Sequence, residues 1–179
     1  DKMAVVYVLD QSLSIPEPQR DAMLEYVAKE VRKHRNRQRE DLAGVVVFGR
    51  DAAIEVPPFD DDIHNVGRLE SLFQVPRDAT NLDAALKLAQ ASFPENVARR
   101  IVVVTDGNEN VGDARATARQ LAENGIGIDV VPIRTTAAHE VTVEKVALQP
   151  DVRQGQPYDV RVVVNNYGAT GAAATQFDV

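Results

Sequence analysis

Val5-Val6-Tyr7-Val8-Leu9-Asp10-Gln11-Ser12-Leu13-Ser14 is the stretch on which the reading turns. Its apolar first half, rich in valine, has the length and composition of a buried strand. The run closes on Asp10, and serines follow at alternate positions. Alternate residues of an extended chain point the same way, so Asp10, Ser12 and Ser14 can bring three oxygens to one point. One carboxylate and two hydroxyls make a poor catalytic set but a suitable half-shell for a hard cation such as Mg²⁺.

A second run, Ile101-Val102-Val103-Val104-Thr105-Asp106-Gly107, repeats the pattern of an apolar strand closing on an aspartate. Between the two, Gly44 to Gly49 reads as a short strand apolar on both faces, as parallel sheets require. Ala52 to Val56 reads as an edge strand stopped by Pro57-Pro58, joined to its predecessor by a hairpin at Arg50-Asp51. Ile126 to Ile133 is a fifth strand.

Helical periods fill the gaps. Pro16 to His34 places Met23, Leu24, Val27, Ala28 and Val31 on one face. Its basic end (Arg32, Lys33, His34, Arg35, Arg37, Arg39) reads as a solvated terminus that complements the helix dipole. Asp60-Asp61-Asp62 reads as the solvated start of a helix over Ile63 to Phe73. A further helix buries Leu82, Ala85, Leu86, Ala89 and Phe93 and ends at Pro94. Asp113 caps the last one, with Ala114, Ala118, Leu121 and Ala122 facing in and Gly125 as its stop. Strands alternating with helices predict an α/β fold with a doubly wound, mainly parallel, Rossmann-like sheet. Ligands of such sheets bind beyond the carboxyl ends of the strands, where both Asp10 and Asp106 fall.

Beyond Thr135 the pattern changes. Val141 and Val143, then Tyr158, Val160, Val162 and Val164, alternate with period two. Gln154-Gly155-Gln156-Pro157 and Asn165-Asn166-Tyr167-Gly168 read as turns, and Thr175, Phe177 and Val179 open another alternating run. The expected division is therefore a first domain over 1–136 and a partial, Ig-like β-sandwich segment over 137–179. Met3 is not the first residue and Asp1 stands almost inside the first strand, which points to a segment of a longer protein.

Composition narrows the chemistry. The net charge is −7 and the pI about 5.0, which argues against nucleic acid as the partner. The absence of cysteine excludes disulfides, thiolate metal sites and cysteine nucleophiles. The three histidines, His34, His64 and His139, stand far apart, which disfavours a histidine zinc site. No apolar run is long enough to span a bilayer.

Asp10-x-Ser12-x-Ser14, then Thr80 in a polar loop before a helix, then Thr105-Asp106-Gly107 after an apolar strand, together resemble the von Willebrand factor A family and its metal-ion-dependent adhesion site. The Asp-x-Ser-x-Ser pattern is weak alone, whereas five positions in order and in context are specific. The resemblance covers about residues 3–135. It implies the strand order three-two-one-four-five. It implies that Ser12, Ser14 and Thr80 reach the metal directly, and that Asp10 and Asp106 do so directly or through water. The metal would be Mg²⁺, with Mn²⁺ or Ca²⁺ also possible, and the partner a protein offering an Asp or Glu carboxylate. The family often has glycines before the threonine; here Asp78-Ala79 stands instead, so Asp78 and Asp83 are candidate outer groups, with helix capping as their plainer role. The step from the A-type domain into sandwich strands resembles bacterial, often membrane-anchored, proteins of the family.

Two other readings remain open. Asp10 could be the nucleophile of a phosphatase-like metal-dependent hydrolase, but such enzymes need a second aspartate two residues on, where this chain has Ser12. A metal-free scaffold in which Ser12 and Ser14 only cap the first helix would explain the serines but not Thr80 and Asp106.

Overall fold

The computed structural model describes residues 2–63, 75–133, 141–148, 155 and 160–166. The chain divides into two compact units, Asp1–Thr135 and Thr136–Val179.

The first unit is built on β1 (Met3–Asp10), whose even-numbered and odd-numbered side chains serve different layers. Val6 and Val8 face one core with Phe48, Leu86, Ile101 and Leu121. Tyr7 and Leu9 face the other with Met23, Val27, Val31 and Val45. Burying a valine or leucine completely contributes about 2 kcal/mol, so a strand buried on both faces is the natural centre of the sheet. Around it the order is β3-β2-β1-β4-β5, with β2 (Leu42–Phe48), β3 (Ala52–Phe59), β4 (Ala98–Thr105) and β5 (Gly127–Pro132). β1 is parallel to both β2 and β4, β4 is parallel to β5, and β3 is antiparallel to β2. Helix α1 (Glu17–His34) covers the second core, and its buried stripe includes all five apolar residues expected of it. Helices α2 (Leu82–Ser92) and α3 (Ala114–Glu123) line the first core.

Several local expectations are revised. β3 does not stop at Val56 but continues through Pro57-Pro58 to Phe59. A register irregularity between the Val45–Val56 and Ala43–Phe59 pairs accommodates the two prolines. Gly44 opposes them: a Cβ there would lie 2.9 Å from the Pro58 nitrogen. β3 is an edge strand, the position where a residue without an N–H is tolerated. In α3 it is Thr117, with Ala114 and Leu121, that is buried, while Ala122 is exposed.

The basic end of α1 is not uniformly solvated. The Arg35 side chain is only 5% exposed and the Asp62 side chain 8%. Arg35 Nη2 donates to Asp62 Oδ1 at 2.8 Å and Arg37 Nη2 to Asp62 Oδ2 at 2.5 Å. Arg35 Nη1 also donates to the Asp60 carbonyl. Asp62 is therefore a buried counter-ion rather than a solvated helix start. The helix expected over Ile63 to Phe73 lies, beyond Ile63, outside the described residues.

Gly49, just past β2, sets how closely the next loop approaches. A Cβ on it would sit 2.4 Å from the Pro76 carbonyl oxygen and 3.1 Å from Arg77 Cα. Both are backbone atoms and cannot swing aside. Gly49→Ala is expected to cost about 2 kcal/mol through overpacking, read as a lower urea midpoint. An unchanged midpoint would show that residues 76–77 give way freely.

In the second unit, β6 (Val141–Leu148) and β7 (Val160–Asn166) form an antiparallel pair with an irregularity between Val143 and Lys145. Asn165 and Asn166, read from sequence as turn residues, belong to β7. Of the Gln154–Pro157 turn only Gly155 is described, with a φ of +82°. The run from Thr175 to Val179 lies outside the described residues.

Candidate metal centre

Three loops meet at the carboxyl ends of the central strands, and backbone hydrogen bonds fasten them to one another. The first follows β1: Gln11 N donates to the Phe48 carbonyl at 2.7 Å, and Leu13 N to the Arg77 carbonyl at 2.9 Å. The second, residues 75–81, is held by Asn81 N donating to the Gly49 carbonyl at 2.8 Å. It is also held by Arg77 Nε, which donates to the Gln11 carbonyl at 2.6 Å. The third follows β4: Asn110 N and Val111 N donate to the Thr80 carbonyl at 3.1 and 3.3 Å. Asn110 Oδ1 completes the clamp by accepting from Thr80 N at 2.8 Å. The chain that begins at Asp106 therefore holds Thr80 in place.

Asp10 is fully buried at the end of β1. Its Oδ1 accepts from Ser12 N at 2.9 Å and its Oδ2 from Thr105 Oγ1 at 2.7 Å. Burial pushes the carboxyl above the ordinary carboxylate range, and the charge of Asp106 adds to that push. Hydrogen bonds from Ser12 and Thr105 oppose it. The Ser12 and Ser14 hydroxyls lie 2.8 Å apart; Ser12 is buried and Ser14 exposed. Asp106 stands one residue past β4, and its Oδ1 accepts from Asn108 N at 3.0 Å. Its Oδ2 is buried and has no hydrogen-bond partner. Thr80 is 4% exposed, with its backbone fixed as above.

The expected outer groups are engaged elsewhere. Asp78 pairs with Arg50 at the surface, which holds its carboxyl below the usual range. Asp83 accepts from Lys87 at 2.7 Å and from the Thr117 hydroxyl, joining α2 to α3. Neither caps α2; that role falls to Asn81, whose Oδ1 accepts from Ala84 N at 3.0 Å. Asp113 does cap α3, accepting from Ala116 N at 3.0 Å. Nor do the serines cap α1: its N-cap is Pro16, with no side-chain cap bond. The supporting roles of three residues escaped the sequence reading. These residues are Thr105, which orients Asp10; Asn110, which fixes Thr80; and Gly112, whose φ of +93° turns the third loop tightly over Asn81 and Asp83.

The cluster joins Asp10, Ser12 and Ser14 in one hydrogen-bonded turn, sets Asp10 and Asp106 to repel each other, and leaves one Asp106 oxygen without a donor. A buried acceptor left in that state is ordinarily met by a water or an ion. All its groups are hard oxygens, which suits Mg²⁺ or a similar divalent cation and not a soft one. Two buried nitrogens on the same loops, Gln11 Nε2 and Arg77 Nη2, also lack partners, but as donors they do not serve a cation. Among the described residues no group of three or more histidine, aspartate or glutamate side chains is gathered for a metal.

This sheet order with paired aspartates at adjacent strand ends defines a class of α/β interaction domain. The family profile of the von Willebrand factor type A domain matches residues 5–109, and the chain belongs to that family. Domains of this kind are in general protein-interaction modules rather than enzymes. An aerotolerance-related membrane protein from Bacteroides fragilis is 29% identical, with a TM-score of 0.63 over 90% of this chain and 81% of that one. BatB from Bacteroides thetaiotaomicron is 28% identical, with a TM-score of 0.62 over 91% of this chain and 80% of that one. The manganese-loaded TRAP protein of Plasmodium vivax, 18% identical, shares the fold at a TM-score of 0.61 over 74% of this chain and 57% of that one. The chain thus resembles bacterial membrane-associated members of the family. No curated protein matches it. Among the described residues no helix is long and apolar enough to cross a membrane.

Proposed function

We propose that the first unit is a divalent-cation-dependent protein-binding module that captures an aspartate or glutamate of a partner. Asp10, Ser12, Ser14, Thr80 and Asp106 would hold the cation, Mg²⁺ by preference. The observation that carries this reading is the buried, partnerless Asp106 Oδ2 beside the buried carboxylate of Asp10. The hydroxyls contribute oxygen without charge, so a bound cation would retain Lewis acidity and offer an open position to an outside carboxylate. Thr105 and Asn110 hold Asp10 and Thr80 in place beforehand, which lowers the ordering cost of assembling the set. Neither serine caps α1, which counts against the metal-free scaffold and supports the metal reading.

Titration calorimetry with Mg²⁺ and with Mn²⁺ tests the reading. Saturable binding, reversed by EDTA and lost in Ser12→Ala, is the expected result. No heat with either ion, even with acetate present to fill the open position, would leave the fold as a metal-free scaffold.

We also propose that residues 137–179 belong to an Ig-like β-sandwich. Val143, Val146, Val160, Val162 and Val163 are exposed on β6 and β7. A two-stranded sheet is marginal alone, and strands bearing so many exposed valines call for an opposing sheet. The likeness to the aerotolerance-related membrane protein of Bacteroides fragilis supports a membrane-associated parent.

A further inference from the structure

The hydrophobic residues left exposed on the first unit are not scattered evenly. Among its described residues four large ones are exposed: Met3, Leu13, Val111 and Val130. Met3 begins β1 and Val130 lies on the edge strand β5. The other two stand on the loops that carry the candidate metal ligands. Leu13, 69% exposed, lies between Ser12 and Ser14, and Val111, 41% exposed, bonds through its N–H to the Thr80 carbonyl.

Neither is exposed for want of a core. Ile15, two residues after Leu13, is 1% exposed. The Leu13 N–H is held by the Arg77 carbonyl, which fixes its backbone while the serines on either side approach each other. Val111 is held in a similar way, because Gly112 at positive φ lies so close to Asn81 and Asp83 that the loop has no room to fold inward.

We infer that Leu13 and Val111 form an apolar rim that reads the partner residue adjacent to the captured acid, and that this residue is a large apolar one. The inference rests on the carboxylate-capture reading. A cation accounts for the attraction to an acid, yet acids cover most protein surfaces. Two exposed apolar side chains on the backbone-anchored loops that carry the candidate ligands favour an acid with an apolar neighbour and desolvate the pair. The partner segment is thus a short exposed peptide in which Asp or Glu directly adjoins Leu, Ile, Met or Phe.

The test is to pan a phage-displayed random heptapeptide library on the full chain, in Mg²⁺ and in EDTA. The Mg²⁺-dependent pool should be enriched in acids adjoining a large apolar residue. Leu13→Ser should weaken the best such peptide about tenfold, and Val111→Thr, which keeps the side-chain shape, by a smaller factor. Mn²⁺ affinity measured without peptide should not change in either variant. Acidic peptides selected without any preference for an apolar neighbour, or peptide affinity unaltered by both substitutions, would overturn the rim while leaving carboxylate capture standing. A Mg²⁺-dependent pool without acids would overturn both.

Discussion

Asp106→Ala is expected to weaken Mg²⁺ or Mn²⁺ binding by at least about 100-fold while the domain stays folded. Removing a group that merely orients a metal ligand already costs roughly 10–100-fold, and Asp106 supplies one of only two carboxylates in the set. The fold should survive because the cation-free domain gains and loses comparable amounts. It loses the Asn108 N–H bond to Asp106 Oδ1. It is relieved of a buried oxygen without a partner and of the repulsion between Asp106 and Asp10. The net change in stability without metal should stay within about 1 kcal/mol. Calorimetric metal titration and urea denaturation on the same sample separate the two effects. Affinity retained in this variant would remove Asp106 from the set, and the reading of the site with it.

Asp62→Ala should destabilise the first unit by about 3 kcal/mol at neutral pH, because it strands the buried Arg35 guanidinium without its counter-ion. Arg35 foremost, with Arg37, holds the Asp62 carboxyl below its usual range. A carboxyl whose folded value is depressed stabilises the fold fully above its unfolded value, near pH 4. That contribution is lost as pH falls through the folded value. Urea midpoints of wild type and variant should therefore differ by a constant amount around pH 7 and converge only well below pH 4. Equal midpoints at pH 7 would mean that Arg35 finds compensation elsewhere.

The sequence displayed the central sheet because its strands are buried on both faces, and an uninterrupted valine-rich run such as that of β4 has few other readings. The strand order did not come from periodicity; it came from resemblance, since pattern alone does not say which strands are neighbours. The five candidate ligands came from the same resemblance, as short spacings and strand ends in a fixed order, and the metal titrations above are what test them. What holds those ligands was not legible. Thr105 reads as one more β-branched strand residue until its hydroxyl is seen on Asp10, 95 positions away. Asn110 looks like an ordinary loop residue until it meets the Thr80 N–H. Asn81 and Asp83 are both plausible caps by composition, and only geometry assigns the cap to the first and the bridge to α3 to the second. Arg35 and Asp62 sit in charged runs that look solvated, and 27 residues separate them. Side-chain pairs closed across such distances leave no local signature.

The adjacent prolines of β3 bear on how this protein behaves in a crowd. An outermost strand is ordinarily a template on which a foreign extended segment can zip up, the first event in many aggregates. Residues 57 and 58 offer no amide hydrogen there, and the irregular pairing with β2 kinks the ribbon at the same place. That end of the outer strand therefore resists the zipping-up of a foreign segment, and the stretch 52–56 before it is left as the part of β3 that could still accept one.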